Sequence, residues 1–378
     1  MKTKKLIFIS LLLTSFTIYY SYSQTVNPLP TLTDITDARY SGMGSAGTAI
    51  ANDIQATNLN PGGLGFLRQT IIPGSFFSDR AEKDTTRFFE ASYTYSEYPI
   101  FQNNSFGIHN ISAGMYSKPL RGTVAVDFSY LELGEYTRTS DSGIVLGKFN
   151  SYEYNFGIAY GTTIGDDWGI GAKLKYINSN MEPPNQHRAL DGVSFALDFG
   201  VLWQPHDLSV LGMELGDVIS LGANLKNIGP KVTYWDESDP LPTQLRLGAG
   251  FNLLKNNKSE LKLAVDITKL LVYRRTIISV SGNDSIYESS YDGLPKSLIS
   301  GWNNPGVELG LGAEYWYKHH LALRAGYYTL PLRLGNEKYL TFGGSLRFSI
   351  FQADISYSHS YESNYPLNIM KLTLRYGG

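Results

Sequence analysis

The sequence predicts an all-β protein, a transmembrane antiparallel β-barrel of about 14 strands with a non-strand segment ahead of it. Three observations predict this. Segment after segment alternates apolar residues with small or polar ones, the period-two signature of strands with two unlike faces. The polar faces carry glycines and whole charges, where a soluble sandwich would turn hydrophobes toward a core. The 378 residues include 27 tyrosines and 38 glycines. Tyrosine suits the membrane–water boundary, and glycine suits a curved, crowded wall.

The first 23 residues read as a secretory signal peptide. Lys2, Lys4 and Lys5 form a basic start, residues 6–14 a short apolar run, and Ser21-Tyr22-Ser23 puts small residues where a signal peptidase reads. Cleavage after Ser23 leaves Gln24 first. The apolar run is far shorter than the ~20 residues a spanning helix needs. No other segment supplies one, so a membrane protein of this sequence must cross as a barrel. Cysteine is absent, which excludes a lipid-modified N-terminal cysteine, disulfides and thiolate metal sites. A net charge of −2 suggests neither nucleic acid nor a polybasic membrane patch.

Residues 24–69 form the N-terminal segment, rich in Gly, Ala, Thr, Asn and Pro, with short glycine-broken helical turns expected over 37–53. The barrel is expected over 70–378. Strand patterns occur near 70–77, 87–96, 107–117, 121–132, 151–162, 168–178, 192–204, 217–227, 243–254, 260–271, 306–317, 320–328, 339–349, 351–360 and 366–376. In the eleventh, Val307, Leu309, Leu311, Ala313 and Tyr315 oppose Glu308, Gly310, Gly312 and Glu314. Bacterial barrels have an even strand count, so the weakest segment, 70–77, is set aside. Short turns at 165–167, 255–258 and 318–320 are expected on the periplasmic side. Longer polar connections at 97–106, 133–150, 179–191, 228–242, 272–305 and 361–366 are expected outside.

Gly42-Met43-Gly44-Ser45-Ala46-Gly47 matches the dinucleotide fingerprint by letter, but no strand precedes it and no βαβ unit surrounds it. Close approach of this segment to a barrel wall is the expected use of its glycines. His319 and His320 are adjacent and the other histidines scattered, with no H-E-x-x-H, so no metal site is expected. No G-x-S-x-G elbow occurs. Neither a cofactor nor an enzymatic activity is expected. Lys173, Lys175, Lys226, Arg246, Lys262, Asp266, Glu308, Glu314, Arg324 and Arg347 share the polar faces, as expected of a hydrated, salt-bridged lumen.

Residues 38–49, Ala-Arg-Tyr-Ser-Gly-Met-Gly-Ser-Ala-Gly-Thr-Ala, followed by Asn58-Leu59-Asn60-Pro61-Gly62-Gly63-Leu64, resemble the N-terminal plug motif of FadL-type barrels. Gly62 stands where alanine is usual. Residues 222–234 with Leu241-Pro242 and 245–248, and then 312–317, 323–327 and 346–351, resemble the PorV/PorQ family of the type IX secretion system. The resemblance implies a FadL-like barrel of about 14 strands in the outer membrane of a Bacteroidota-type bacterium. It implies a plug formed around Gly42, Met43, Gly44, Gly47, Asn60 and Pro61. It also implies a non-enzymatic carrier, which takes cargo with a C-terminal β-domain from a giant translocon barrel and delivers it to a surface sortase or attachment complex. Tyr234 and Trp235 in 228–242, and Arg274 and Arg275 in 272–305, are the expected partner contacts. Beyond lipid, the competing expectation is a FadL-like transporter of hydrophobic small molecules.

Overall fold

The computed structural model describes residues 29–34, 37–69, 89–100, 104–140, 142–180, 191–234, 237–256, 258–272, 274–281, 284–292, 294–303, 306–329, 338–361 and 368–377. With all strands numbered in chain order, fourteen close into one antiparallel barrel. These are β1 (Phe89–Ile100), β2 (Asn104–Ser117), β3 (Gly122–Thr139), β4 (Val145–Ile164), β5 (Trp168–Asn180), β6 (Asp191–Trp203) and β9 (Ile219–Ile228). They continue as β12 (Gln244–Lys255), β13 (Ser259–Leu270), β16 (Val307–Tyr317), β17 (Leu321–Thr329), β18 (Lys338–Phe348), β19 (Phe351–Ser360) and β20 (Asn368–Gly377). Each matches one of the expected segments; 70–77 lies outside the described residues. Closure pairs β1 with β20, from Glu90 opposite Gly377 to Glu97 opposite Met370.

The two faces of each strand separate as the alternation requires. On β6, Val193, Phe195, Leu197, Phe199 and Val201 are exposed, while Ser194, Ala196, Asp198, Gly200 and Leu202 are buried inward. Outward-facing aromatic rings gather at two heights. Phe89, Trp168, Trp203, Phe351 and Tyr376 lie at the short-turn end. Tyr130, Tyr152, Tyr154, Tyr176 and Phe195 lie at the other. On β5, Trp168 and Tyr176 are about 26 Å apart along the strand at ~3.3 Å per residue. A tilt of about 40° turns this into roughly 20 Å of height, close to the ~25 Å apolar band of such barrels.

Several connections differ from expectation. In 97–106 and 133–150 the strands run on: β1 reaches Ile100 and β2 begins at Asn104, while β3 reaches Thr139 and β4 begins at Val145. The β3–β4 hairpin stands tall and is stepped by irregularities at Glu132/Gly134 and Arg138/Thr139. Connection 228–242 contains the hairpin β10 (Val232–Tyr234) and β11 (Glu237–Asp239). Connection 272–305 contains β14 (Arg274–Ser281) paired with β15 (Asp284–Tyr291), then helical turns at Ser297–Ser300 and Gly301–Asn303. Once a hairpin rises out of lipid neither face has to be apolar, so the alternation that marks a wall strand is lost. The short-turn end is also not uniformly short. The β6–β9 link, 204–218, carries the small hairpin β7 (Ser209–Val210) and β8 (Met213–Glu214).

The apolar core sits inside the barrel. Tyr40, Met43, Ile50, Ile54, Leu59 and Leu64 of the N-terminal segment cluster with wall residues Ala125, Ala159 and Ala264. A smaller cluster joins Leu29 and Leu32 to Ile177, Ala196, Val232 and Leu241.

Candidate functional site: the N-terminal segment in the lumen

The described part of the N-terminal segment occupies the lumen, and its local structure follows from a few polar caps. The Asp37 side chain accepts from the backbone N–H groups of Arg39 and Tyr40 and starts the helical turn Ala38–Ser41. A second turn, Ala56–Leu59, ends at Asn60, and a 3-10 segment runs over Pro61–Gln69. Asn60 is a hub. Its Oδ1 accepts from Gly62 N–H at 3.1 Å, and its Nδ2 donates to the carbonyls of Thr48 at 2.8 Å and Val201 at 2.9 Å.

Glycines permit the close approach, on both the segment and the wall. Gly44 has φ +62°, and a Cβ there would lie 2.4 Å from the carbonyl oxygens of Leu311 and Tyr327. Facing it, a Cβ on Gly312 would lie 2.3 Å from the Met43 carbonyl oxygen, and one on Gly326 would lie 2.2 Å from Gly44 N. Gly42 rests against Gly343, and Gly47 against the Tyr40 ring. Lower in the chain, a Cβ on Gly171 would lie 2.2 Å from the Pro61 carbonyl oxygen. The G-x-G-x-x-G letters serve packing, with no strand leading into a helix around them.

A chain of buried ion pairs ties the segment to the last strands. The Arg39 guanidinium donates from Nε (2.9 Å) and Nη2 (2.7 Å) to the Glu314 carboxylate, and from Nη1 to Asp53 (2.9 Å). Glu314 also takes Arg324 Nε at 2.7 Å, and Arg324 reaches Asp354 at 3.1 Å. Arg375 binds Asp37 through Nη2 at 2.7 Å and Asp53 through Nη1. Burial disfavours both segment carboxylates. At Asp53 the opposing pull of Arg375 and Arg39 prevails and holds the pKa below the usual value. At Asp37 burial outweighs Arg375, and the neighbouring Asp53 charge adds to the rise. A second anchor is Asp266, which accepts from Thr48 Oγ1 at 2.6 Å, the N–H groups of Gly47 and Thr48, and Arg246 at 2.9 Å. Elsewhere Lys371 pairs with Asp34, Thr373 accepts from Ala38 N–H, and Glu153 takes Thr31.

At the short-turn end the lumen widens into a cavity of about 520 Å³, whose wall includes Glu90, Lys262, Arg347 and Arg375, with Trp316 and Phe66. Arg347 lies 4.4 Å over the Trp316 ring and donates twice to Gln352.

The structure thus sets Gly42, Met43 and Gly44 against β16–β18 and Asn60 and Pro61 against β5 and β6, with Gly47 packed on Tyr40 and its N–H on Asp266. It does not group the expected partner contacts with them. Tyr234 ends β10 half-buried against the Leu29–Ile177 cluster. Arg274 and Arg275 open β14, and Trp235 lies outside the described residues. Sequence reasoning missed Asp37, Arg39, Asp53, Asp354 and Arg375 as a network. It also missed the receiving wall glycines Gly171, Gly312, Gly326 and Gly343. Glycine at inward positions of otherwise regular strands was the available signal.

An apolar outer face, two aromatic belts and a charged, segment-filled lumen define an outer-membrane-type β-barrel. Solved structures share this fold. The TodX monoaromatic hydrocarbon channel deltaS2 mutant superposes with a TM-score of 0.55 at 13% identity, over 90% of this chain and 97% of that one. The CymD monoaromatic hydrocarbon channel gives 0.52 at 13%, over 93% and 98%. The toluene transporter TbuX of Ralstonia pickettii gives 0.51 at 12%, over 94% and 98%. At such identities the likeness is one of fold. Curated protein sequences give no match. The family model described as Type IX secretion system protein PorV matches residues 107–276, so the PorV likeness is established over that stretch. It includes 222–234, one of the stretches that carried the resemblance, and runs from β2 to the start of β14.

Proposed function

We propose that this barrel is an outer-membrane carrier of the type IX secretion system. It binds cargo bearing a C-terminal β-domain at the translocon and passes it to surface attachment machinery in a Bacteroidota-type cell envelope. The observation that carries this reading is the PorV match over 107–276. It spans the tall β3–β4 hairpin and the β10–β11 connection, where a partner outside the membrane would meet the chain.

The lumen supports the same reading over uptake of hydrophobic molecules. The N-terminal segment acts as a plug held by Arg39, Glu314, Arg324 and Arg375. The large cavity beneath it carries the charges of Glu90, Lys262, Arg347 and Arg375 among apolar side chains, a poor path for an apolar solute. In this reading Arg274, Arg275, Tyr234 and Trp235 contribute to partner contact and no reaction is catalysed. The test is affinity purification from native membranes, together with deletion of the gene. Co-purification of a giant barrel subunit and periplasmic retention of cargo are the expected results. Intact secretion with lost uptake of a hydrophobic nutrient would establish the transporter instead.

A further inference from the structure

We propose that Lys226 holds a small anion, of the chloride class, in a cavity between the N-terminal segment and the barrel wall. The cavity leaves about 20 Å³ for the centre of a water-sized occupant, room for at least one water or small anion. Lys173, Lys175, Lys226 and Asp198 line it from the wall, and Leu32 and Asn58 from the segment. Two of the three lysines are matched. Lys173 pairs with Asp127 at 2.6 Å and donates to Asn58 at 2.7 Å. Lys175 pairs with Asp198 at 2.8 Å and donates to the Asn227 side chain. Asp34, also on the cavity, is taken by Lys371.

Lys226 has no such partner. It is 6% exposed, and among the described residues no hydrogen bond or ion pair reaches its ammonium. The charges acting on it most strongly are those of Lys175, Asp198, Arg246 and Lys173, three cations and one carboxylate. That carboxylate is engaged by Lys175, and Arg246 is matched by Asp266. An ammonium without a paired carboxylate in a largely buried site is disfavoured, and either loss of its proton or a bound counter-anion relieves it. An anion beside it supplies the missing counter-charge. Because the cavity is walled on one side by the N-terminal segment, the ion would fasten that segment to β5 and β9.

The competing arrangement is a neutral Lys226 amine with a water linking it to the unpartnered Oδ2 of Asp198, which needs no anion. Full-length protein crystallised in bromide in place of chloride should show an anomalous peak in this cavity. Its unfolding midpoint in detergent should rise saturably with chloride and not with isethionate at equal ionic strength. Lys226→Met should abolish both effects. A water-filled cavity without anomalous signal, or a midpoint indifferent to the anion, overturns the proposal. So does a bromide peak without any effect on the midpoint, which is binding at crystal concentration only. If the variant fails to fold, the wild-type measurements decide alone.

Discussion

Replacing Gly44 with alanine tests the docking of the N-terminal segment most directly. Two costs combine there. At φ +62° an L-residue in the left-handed region costs about 1–2 kcal/mol. The new Cβ would also lie 2.4 Å from the carbonyl oxygens of both Leu311 and Tyr327 and 2.6 Å from Tyr327 N. These atoms belong to a paired rung of β16 and β17, so they cannot swing aside as a side chain would. Overpacking of this kind adds about 1–3 kcal/mol, and disturbing the rung adds about 1–3 kcal/mol more. The expected loss is therefore about 3 kcal/mol or more. Gly165 in the β4–β5 turn is the control. Its φ is +63° and nothing lies within 4 Å of its added Cβ, so Gly165→Ala should lose only about 1–2 kcal/mol. Denaturant unfolding in detergent measures both, and protease cleavage within residues 29–69 reports release of the segment. Equal losses for the two variants, with the segment still protected in Gly44→Ala, would refute the account of the glycine contacts.

Glu314→Gln leaves the guanidinium groups of Arg39 and Arg324 buried with weakened partners. It should cost about 3–5 kcal/mol, with a smaller combined loss when Arg39→Met is added, read by the same unfolding assay. Leu174→Arg places a charge on the outward face of β5, where Leu174 is exposed toward the lipid region. It should lower stability by about 2–4 kcal/mol in bilayers, while Leu174→Ala costs less. Outside the membrane, His206 Nδ1 donates to Asp217 at 2.8 Å, and that bond raises its pKa. The protonated pair therefore adds stability that is full below the ordinary histidine pKa and fades as pH rises through the raised value. Because both groups are largely exposed the gain is well under about 1 kcal/mol. An NMR titration showing the His206 pKa unchanged in Asp217→Asn would contradict this.

Much of the wall was legible because lipid imposes a simple rule on each strand by itself. Leu321, Leu323 and Ala325 face out and Ala322 and Arg324 face in, and a short window of sequence suffices to see it. The lumen obeys no local rule. Arg39 is an ordinary arginine in a polar stretch until Glu314, 275 residues away in sequence, is placed beside it. Gly312 and Gly326 read as weak strand residues until Met43 and Gly44 fill the space a Cβ would occupy. Charges such as Lys173, Arg246 and Asp266 were visible as a polar face, but their pairing, and the lack of it at Lys226, depends on the barrel's circumference. The hairpins β10–β11 and β14–β15 were hidden for a different reason, because strands outside the barrel wall need no lipid-facing apolar period.

The distances along the chain between the lumenal segment and its anchors bear on how the protein folds. Ala38 donates to Thr373 across 335 residues, and Arg375 grips Asp37 across 338. The segment precedes the strands in sequence, yet several of its anchoring groups sit on the last ones. Such long-range contacts carry a large loop-closure cost and are slow to form. Docking of the segment and pairing of β1 with β20 thus draw on the same final strand. Assembly should therefore finish in one late step, with an undocked segment persisting as long as the barrel stays open.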